Sequence, residues 1–196
     1  MFGKVFSRRD RREKSKSFEA EFLPFMDAAY TLAVYLTNDR TTAQDMVQDA
    51  YLRAFKAYKN YEDNGTAKAW FLTIVRNCCY GYITKRNNPK TPLTGTGFDT
   101  NGEMVVSLFS EGTSLSPEEQ IIAKQSGAAV HNAIGQLPPL FREVILLREI
   151  EGMSYAEIAN VTGAPSGTVM SRLSRARAQL QTILITKNNK DTRHGL

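Results

Sequence analysis

Apolar residues recur along most of this chain at the three- and four-residue spacings of an α-helix, and no stretch alternates as a strand would. The cleanest pattern follows Thr42. Ala43, Met46, Val47, Ala50, Tyr51, Ala54, Phe55 and Tyr58 fall on one stripe, while Asp45, Gln48, Asp49, Arg53 and Lys56 take the opposite face. Ahead of it, residues 18–36 hold Phe22, Phe25, Met26, Ala29, Tyr30, Ala33 and Val34 at helical spacing, which predicts one buried helix with Pro24 in an early turn. A polar break at 60–65 contains an Asn-Gly turn signal, and Thr66 is placed to cap a third helix over 67–86. That helix buries some set of Phe71, Ile74, Val75, Cys78, Cys79, Tyr82 and Ile83. Trp70, Arg76, Asn77, Tyr80, Lys85 and Arg86 are left over, a mixture of aromatic, amide and cation that suits single-stranded nucleic acid, where rings stack on bases and cations follow the backbone.

The periodicity lapses over 87–116, which is rich in Gly, Thr, Ser, Asn and Pro apart from a short apolar piece at 104–109. A run of this length is too long for a connection inside a compact domain and reads as a linker. Ser116-Pro117-Glu118-Glu119 then restarts a helix, with Ser as cap and Pro at the first position. That helix reaches about Gln136, and another runs from Pro138 or Pro139 to Ile150, where Gly152 ends it. The expected fold is therefore all-α: two small helical domains, 18–86 and 117–186, joined by a flexible linker at 87–116, with tails at 1–17 and 187–196.

Residues 153–177 form the most characteristic stretch. Ser154 and Glu157 make a capping box, Ile158, Ala159 and Val161 follow on a short helix, and Gly163 supplies a turn residue able to take a positive φ. Pro165 stops the first helix, and Val169, Leu173, Ala176 and Leu180 give a second helix its buried line. The outer surface of that second helix shows Gly167, Thr168, Met170, Ser171, Ser174, Arg175 and Arg177, with Arg172 near the edge. This is the layout of a helix-turn-helix whose second helix enters a DNA major groove. An amphipathic hairpin with a merely solvated basic face accounts for the same residues.

Charge changes the picture through its distribution. The net charge of +5 equals that of residues 1–17 alone, where seven Lys or Arg face two acids, so the body is neutral overall. It is nonetheless polarised: residues 64–100 and 166–196 are basic and residues 101–165 are acidic, which implies two separate contacts with a polyanion. Cys78 and Cys79 are adjacent on an apolar helical pattern and are expected to be reduced core residues, not a bridge or a metal site. His131 and His194 have no ligand spacing, and no catalytic or cofactor motif is present, so neither metal nor cofactor is expected. The longest apolar run, 28–36, is far short of a membrane span, and no signal-peptide core appears. A cytoplasmic protein without stable membrane insertion is expected.

At this point the chain resembles the sigma-70 family, specifically the small extracytoplasmic-function sigma factors that keep only regions 2 and 4. The family pattern D-x-x-Q-[DE]-x-[FY]-[LI]-[RK] is present as Asp45, Gln48, Asp49, Tyr51, Leu52 and Arg53, followed by AWFLTIVRN at 69–77; LPPLFREVILLREIEGMSYAEIANVTGAPSGTVMSRLSRAR matches region 4 at 137–177. The resemblance implies an RNA polymerase sigma factor and not an enzyme. Asp45, Gln48, Asp49 and Arg53 would bind the clamp helices of core RNA polymerase. Tyr61, Lys68, Trp70, Arg76 and Asn77 would open and capture the minus-10 element of promoter DNA. Ser166, Thr168, Met170, Ser171, Arg172, Ser174, Arg175 and Arg177 would read the minus-35 element, and an anti-sigma factor is an implied partner. Met170 stands where many members carry Arg or Lys, and Ser174 where a larger residue is common. The competing reading, a helix-turn-helix transcriptional regulator of another kind, explains 153–177 but not the separate constellation at 45–86.

Overall fold

The structure, a computed structural model, describes residues 17–62, 65–86 and 117–191, with the side chains of 117–126 and 187–191 left aside. The expected basic tail up to residue 16, the linker at 87–116 and the end of the chain from 192 lie outside the described residues. Every regular element among those described is helical: α1 (Met26–Thr37), α2 (Arg40–Ala57), α3 (Ala67–Arg86), α4 (Pro117–Gln136), α5 (Pro139–Ile145), α6 (Tyr155–Thr162) and α7 (Ser166–Asp191). They group into two units, one holding α1 to α3 together with Ala156–Ala164, the other the rest of the chain from α4 onward.

In the first unit α1, α2 and α3 each pack on the other two. Small residues let their axes approach, since Ala29 and Ala33 of α1 and Ala43, Ala50 and Ala54 of α2 are wholly buried. Phe22, Leu32, Phe71, Leu72 and Val75 fill the space between them, and burying a side chain of this size contributes about 1.5–3 kcal/mol. The chain turns between α1 and α2 in two residues. Asn38 adopts the left-handed conformation (φ 59°) that ends a helix, its N–H bonding to the Val34 carbonyl. Asp39 then caps α2, Oδ1 accepting from the Thr42 N–H at 2.6 Å, and its hydrogen bonds with Thr42 hold its pKa low. The helix thus begins at Arg40, ahead of the apolar pattern that follows Thr42.

The single helix expected over 18–36 is instead broken. Residues 17–22 are helical, Leu23–Phe25 form a 3₁₀ turn around Pro24, and α1 starts at Met26. Three residues at the tighter 3₁₀ twist rotate everything downstream by about 60°. Met26, expected inside, is therefore 41% exposed, while Leu32, Tyr35 and Leu36 take the core positions. The same turn sends the Met26 N–H to the Leu23 carbonyl and not to Phe22, four residues back, leaving a lone pair of the Phe22 carbonyl for Tyr51, whose hydroxyl donates to it at 2.7 Å. Burial, with the Asp27 charge nearby, pushes the Tyr51 phenol up to about 12. Tyr51→Phe is expected to lower unfolding free energy by about 1 kcal/mol, measured by denaturant titration. An unchanged midpoint would mean that this bond does not brace the break.

In the second unit α7 packs along α4 and α5. Ile134, Leu137, Val144, Leu147, Val169, Leu173 and Ala176 form its core. Arg142 donates to the carbonyls of Gly135 and Leu137, so a cation closes the carbonyl end of α4 at the corner before Pro138 and Pro139. The helix expected up to Ile150 does reach it, but its last turn, Leu146–Ile150, is π-helical. The Glu151 N–H reaches the Leu146 carbonyl at 3.0 Å, and Gly152, at φ +67°, turns the chain toward α6. Gly163, at φ +65°, makes the turn into α7 as expected. No Gly or Pro interrupts 180–191, and α7 continues to Asp191, past the boundary expected at 186.

Candidate functional site

The outward face of α2 carries Asp45, Gln48, Leu52, Arg53 and Lys56 as exposed side chains, with Asp49 half-buried among them. Asp49 and Arg53, one helical turn apart, form an ion pair at 2.7 Å. The Arg53 hydrogen bond is the main reason the Asp49 carboxyl titrates low, with a smaller contribution from the nearby Cys78 thiol on α3. Burial pushes the Cys78 thiol up to about 11, so it is neutral at physiological pH. Both cysteines are free and buried. The residue absent from the sequence-based site is Leu52. It is 60% exposed at the centre of a charged face, an apolar side chain with no core to enter, and its place between Asp49 and Arg53 was the available signal.

The second candidate surface joins the loop after α2 to α3. Tyr58 and Tyr61 are stacked with ring centroids 6.0 Å apart, Tyr61 lies 4.6 Å from Trp70, and Trp70 lies 5.3 Å from buried Phe22. Trp70 is therefore not wholly left over from the core but a half-buried member of an aromatic cluster. Asn77, seven residues on, shares its side of α3 and is exposed. Arg76 is rotated from that line and lies over the Tyr80 ring at 4.5 Å. Lys68, two residues before Trp70, sits about 160° round the helix and does not share its face. Tyr61, Trp70 and Asn77 are thus brought to one surface, with Arg76 at its flank and Lys68 apart.

The third set lies on α7. Its first turn closes through the Thr168 and Val169 N–H groups on the Pro165 carbonyl. Val169, Leu173 and Ala176 are buried, Ser166, Met170, Ser171, Ser174 and Arg175 are exposed, and Thr168 and Arg172 are half-buried. Ser171 donates its hydroxyl to the Thr168 carbonyl at 2.9 Å and keeps its oxygen as an acceptor. Met170 is 51% exposed among these small polar groups. Arg177 is exposed like the others of this set, and it makes an ion pair at 2.7 Å with Glu149 of the π-helical turn. None of the described helices is long and apolar enough to cross a membrane.

Family models describe two segments of this chain. Sigma-70 region 2 matches residues 22–88, and Sigma-70, region 4 matches residues 127–180. The chain is 30% identical over 181 residues to the RNA polymerase sigma-H factor of Pseudomonas aeruginosa, covering 90% of each chain. It is 30% identical over 166 residues to the ECF RNA polymerase sigma factor SigE of Mycolicibacterium smegmatis, covering 85% of this chain and 60% of that one. Among solved structures, the sigma factor RpoE in complex with the anti-sigma factor NepR from Bartonella quintana matches with a TM-score of 0.65 and 28% identity, over 86% of this chain and 97% of that one.

Proposed function

Because the chain belongs to the sigma-70 family of RNA polymerase sigma factors, in its extracytoplasmic-function branch, we propose that its three exposed sets divide the work of promoter recognition. The face of α2, Asp45, Gln48, Asp49 and Arg53 with Leu52 at its centre, docks core RNA polymerase. Tyr61, Trp70 and Asn77, flanked by Arg76, capture the minus-10 element, with Lys68 reaching it from the far side of α3. Ser166, Thr168, Met170, Ser171, Arg172, Ser174 and Arg175 read the minus-35 element from α7. The reading rests most on one observation: region 2 and region 4 occur in one chain, and each carries an exposed polar face on the helix that would need it.

The chemistry is differential binding. The chain supplies no catalytic group, since phosphoryl transfer belongs to the polymerase. Phosphate contacts from basic side chains set register on the duplex, and base-edge contacts select sequence. Met170 brings an apolar group suited to a thymine methyl where Arg or Lys would seek the acceptors of guanine. Around Tyr61 and Trp70, a base taken out of the stack finds an aromatic wall in place of its neighbours; unpairing costs a few kcal/mol, and a pocket that returns this for one base alone makes melting selective. Residues 87–116 join the two regions across the polymerase, the chain works in the cytoplasm, and an anti-sigma factor is its natural antagonist, covering the surfaces that polymerase and DNA would use. A helix-turn-helix regulator of another kind leaves the α2 face and the aromatic surface of α3 without a role.

The test is reconstitution. The purified chain mixed with core polymerase is expected to elute with it at one-to-one stoichiometry and to direct initiation from promoters selected out of a randomised pool. Failure to co-elute, with retained binding to duplex DNA alone, would replace this reading by the free-standing regulator.

A further inference from the structure

Arg175 and Arg177 stand two residues apart on α7, which sets them about 160° apart around its axis, so one groove cannot take both from the same side. Arg175 is on the outward sector. Arg177 follows buried Leu173 by four residues, about 40° round, and its guanidinium is engaged inside the second unit. Its Nε and Nη2 both donate to Oε1 of Glu149, at 3.0 and 2.7 Å, with the Tyr155 hydroxyl close by. The ring of Tyr155 in turn carries the Arg148 guanidinium 5.0 Å from its centroid, and Arg148 Nη1 donates to the Met153 carbonyl at 2.7 Å. The wide π-helical turn presents Glu149 to α7. Three consecutive segments are thereby tied together: the turn after α5, the first residue of α6, and α7.

We propose that Arg177 is a positioning residue and not a DNA contact, clasping α7 to the turn before α6 through Glu149 and so fixing the pitch at which Ser171, Ser174 and Arg175 meet the groove. The proposal rests on the reading of α7 as the minus-35 helix. Two considerations support it against a phosphate contact. A phosphate approaching Arg177 meets the Glu149 carboxylate already bound to it through Nε and Nη2, a like charge beside the DNA backbone. The ion pair is also half exposed, 50% and 49%, a setting in which such pairs contribute little to folding, so its geometry matters more than its strength.

The test uses the full chain bound to core polymerase and a duplex carrying the minus-35 element that the wild-type protein selects. Arg177→Lys keeps the charge but loses the fork that holds Glu149 through two nitrogens. The clasp predicts that Arg177→Lys and Glu149→Ala each weaken binding about tenfold, the loss of roughly one base contact. The salt slope and the melting temperature should stay as they were. The double variant should be no worse than either single one, and the exchanged pair Glu149→Arg with Arg177→Glu should recover binding. If instead Arg177→Lys binds normally, Arg177→Ala lowers the salt slope by about one and Glu149→Ala tightens binding, Arg177 is a phosphate contact and the proposal is overturned. Arg175→Ala distinguishes the underlying reading: should it also leave duplex binding untouched, α7 is not the minus-35 helix and both readings fall.

Discussion

Asp49→Arg is expected to abolish assembly with core polymerase while leaving the helical content of the chain intact. The substitution lies on the outer face of α2, where the Asp49–Arg53 pair is 2.7 Å apart, with its side chains 59% exposed for Arg53 and 40% for Asp49. Within the helix it sets Arg against Arg one turn apart, a cost of about 0.2–0.5 kcal/mol. No apolar contact of the core is removed. Against a partner surface built to receive a carboxylate the same change juxtaposes like charges in a desolvated setting, which costs several kcal/mol and about a hundredfold or more in affinity. Circular dichroism and melting temperature should therefore hold while polymerase binding, followed by size-exclusion or fluorescence anisotropy, disappears. Leu52→Ala is a useful companion, since that side chain is 60% exposed and its loss touches only what binds from outside. Normal assembly of the Asp49→Arg protein would mean that the face is solvated and no more.

How far the sequence foretold this arrangement depends on whether the information was local. The α2 stripe was legible because eighteen uninterrupted helical residues keep strict phase, so Ala43, Val47, Ala50 and Ala54 are buried and the charged positions are out. The phase of α1 was legible only in part: Ala29 and Ala33 are buried as expected, but the 3₁₀ turn at Pro24 leaves Met26 outside, and nothing in Met26 itself reports that turn. Gly163 and Pro165 declared the turn before α7 through their backbone chemistry. The π-helical turn at Leu146–Ile150 gave no such sign, since it is made of ordinary helix formers and differs only in where its carbonyls find donors. The orientation of Arg177 follows from that turn, through the position it gives Glu149, and so required the tertiary structure. Leu52 is the opposite case: its exposure was implied by the α2 phase itself.

Asn77→Ala is expected to impair promoter opening by about 5- to 150-fold, the range spanned by losing a base contact worth roughly 1–3 kcal/mol. Asn77 is exposed on the side of α3 that also carries Trp70, so its truncation leaves the core of the first unit untouched and removes only an amide able to donate and accept at a base edge. The effect should appear in one step of initiation. Binding to a duplex minus-35 element, which depends on α7, should be unchanged, while permanganate reactivity of unpaired thymines at the minus-10 element should fall on a linear promoter. On a template whose minus-10 bubble is already open, reactivity should return, because the cost of unpairing no longer has to be met by the protein. The preference among bases in that bubble should stay weakened, since the contact that selects one base is still missing. Trp70→Ala should differ, because its ring also packs against Tyr61 and Phe22 at 4.6 and 5.3 Å: lost stacking, about 1–3 kcal/mol per base, would come with a lower melting temperature. If Asn77→Ala opens a linear promoter as well as the parent and discriminates bases equally, this side of α3 does not meet the unpaired strand, and the minus-10 surface must lie elsewhere on the first unit.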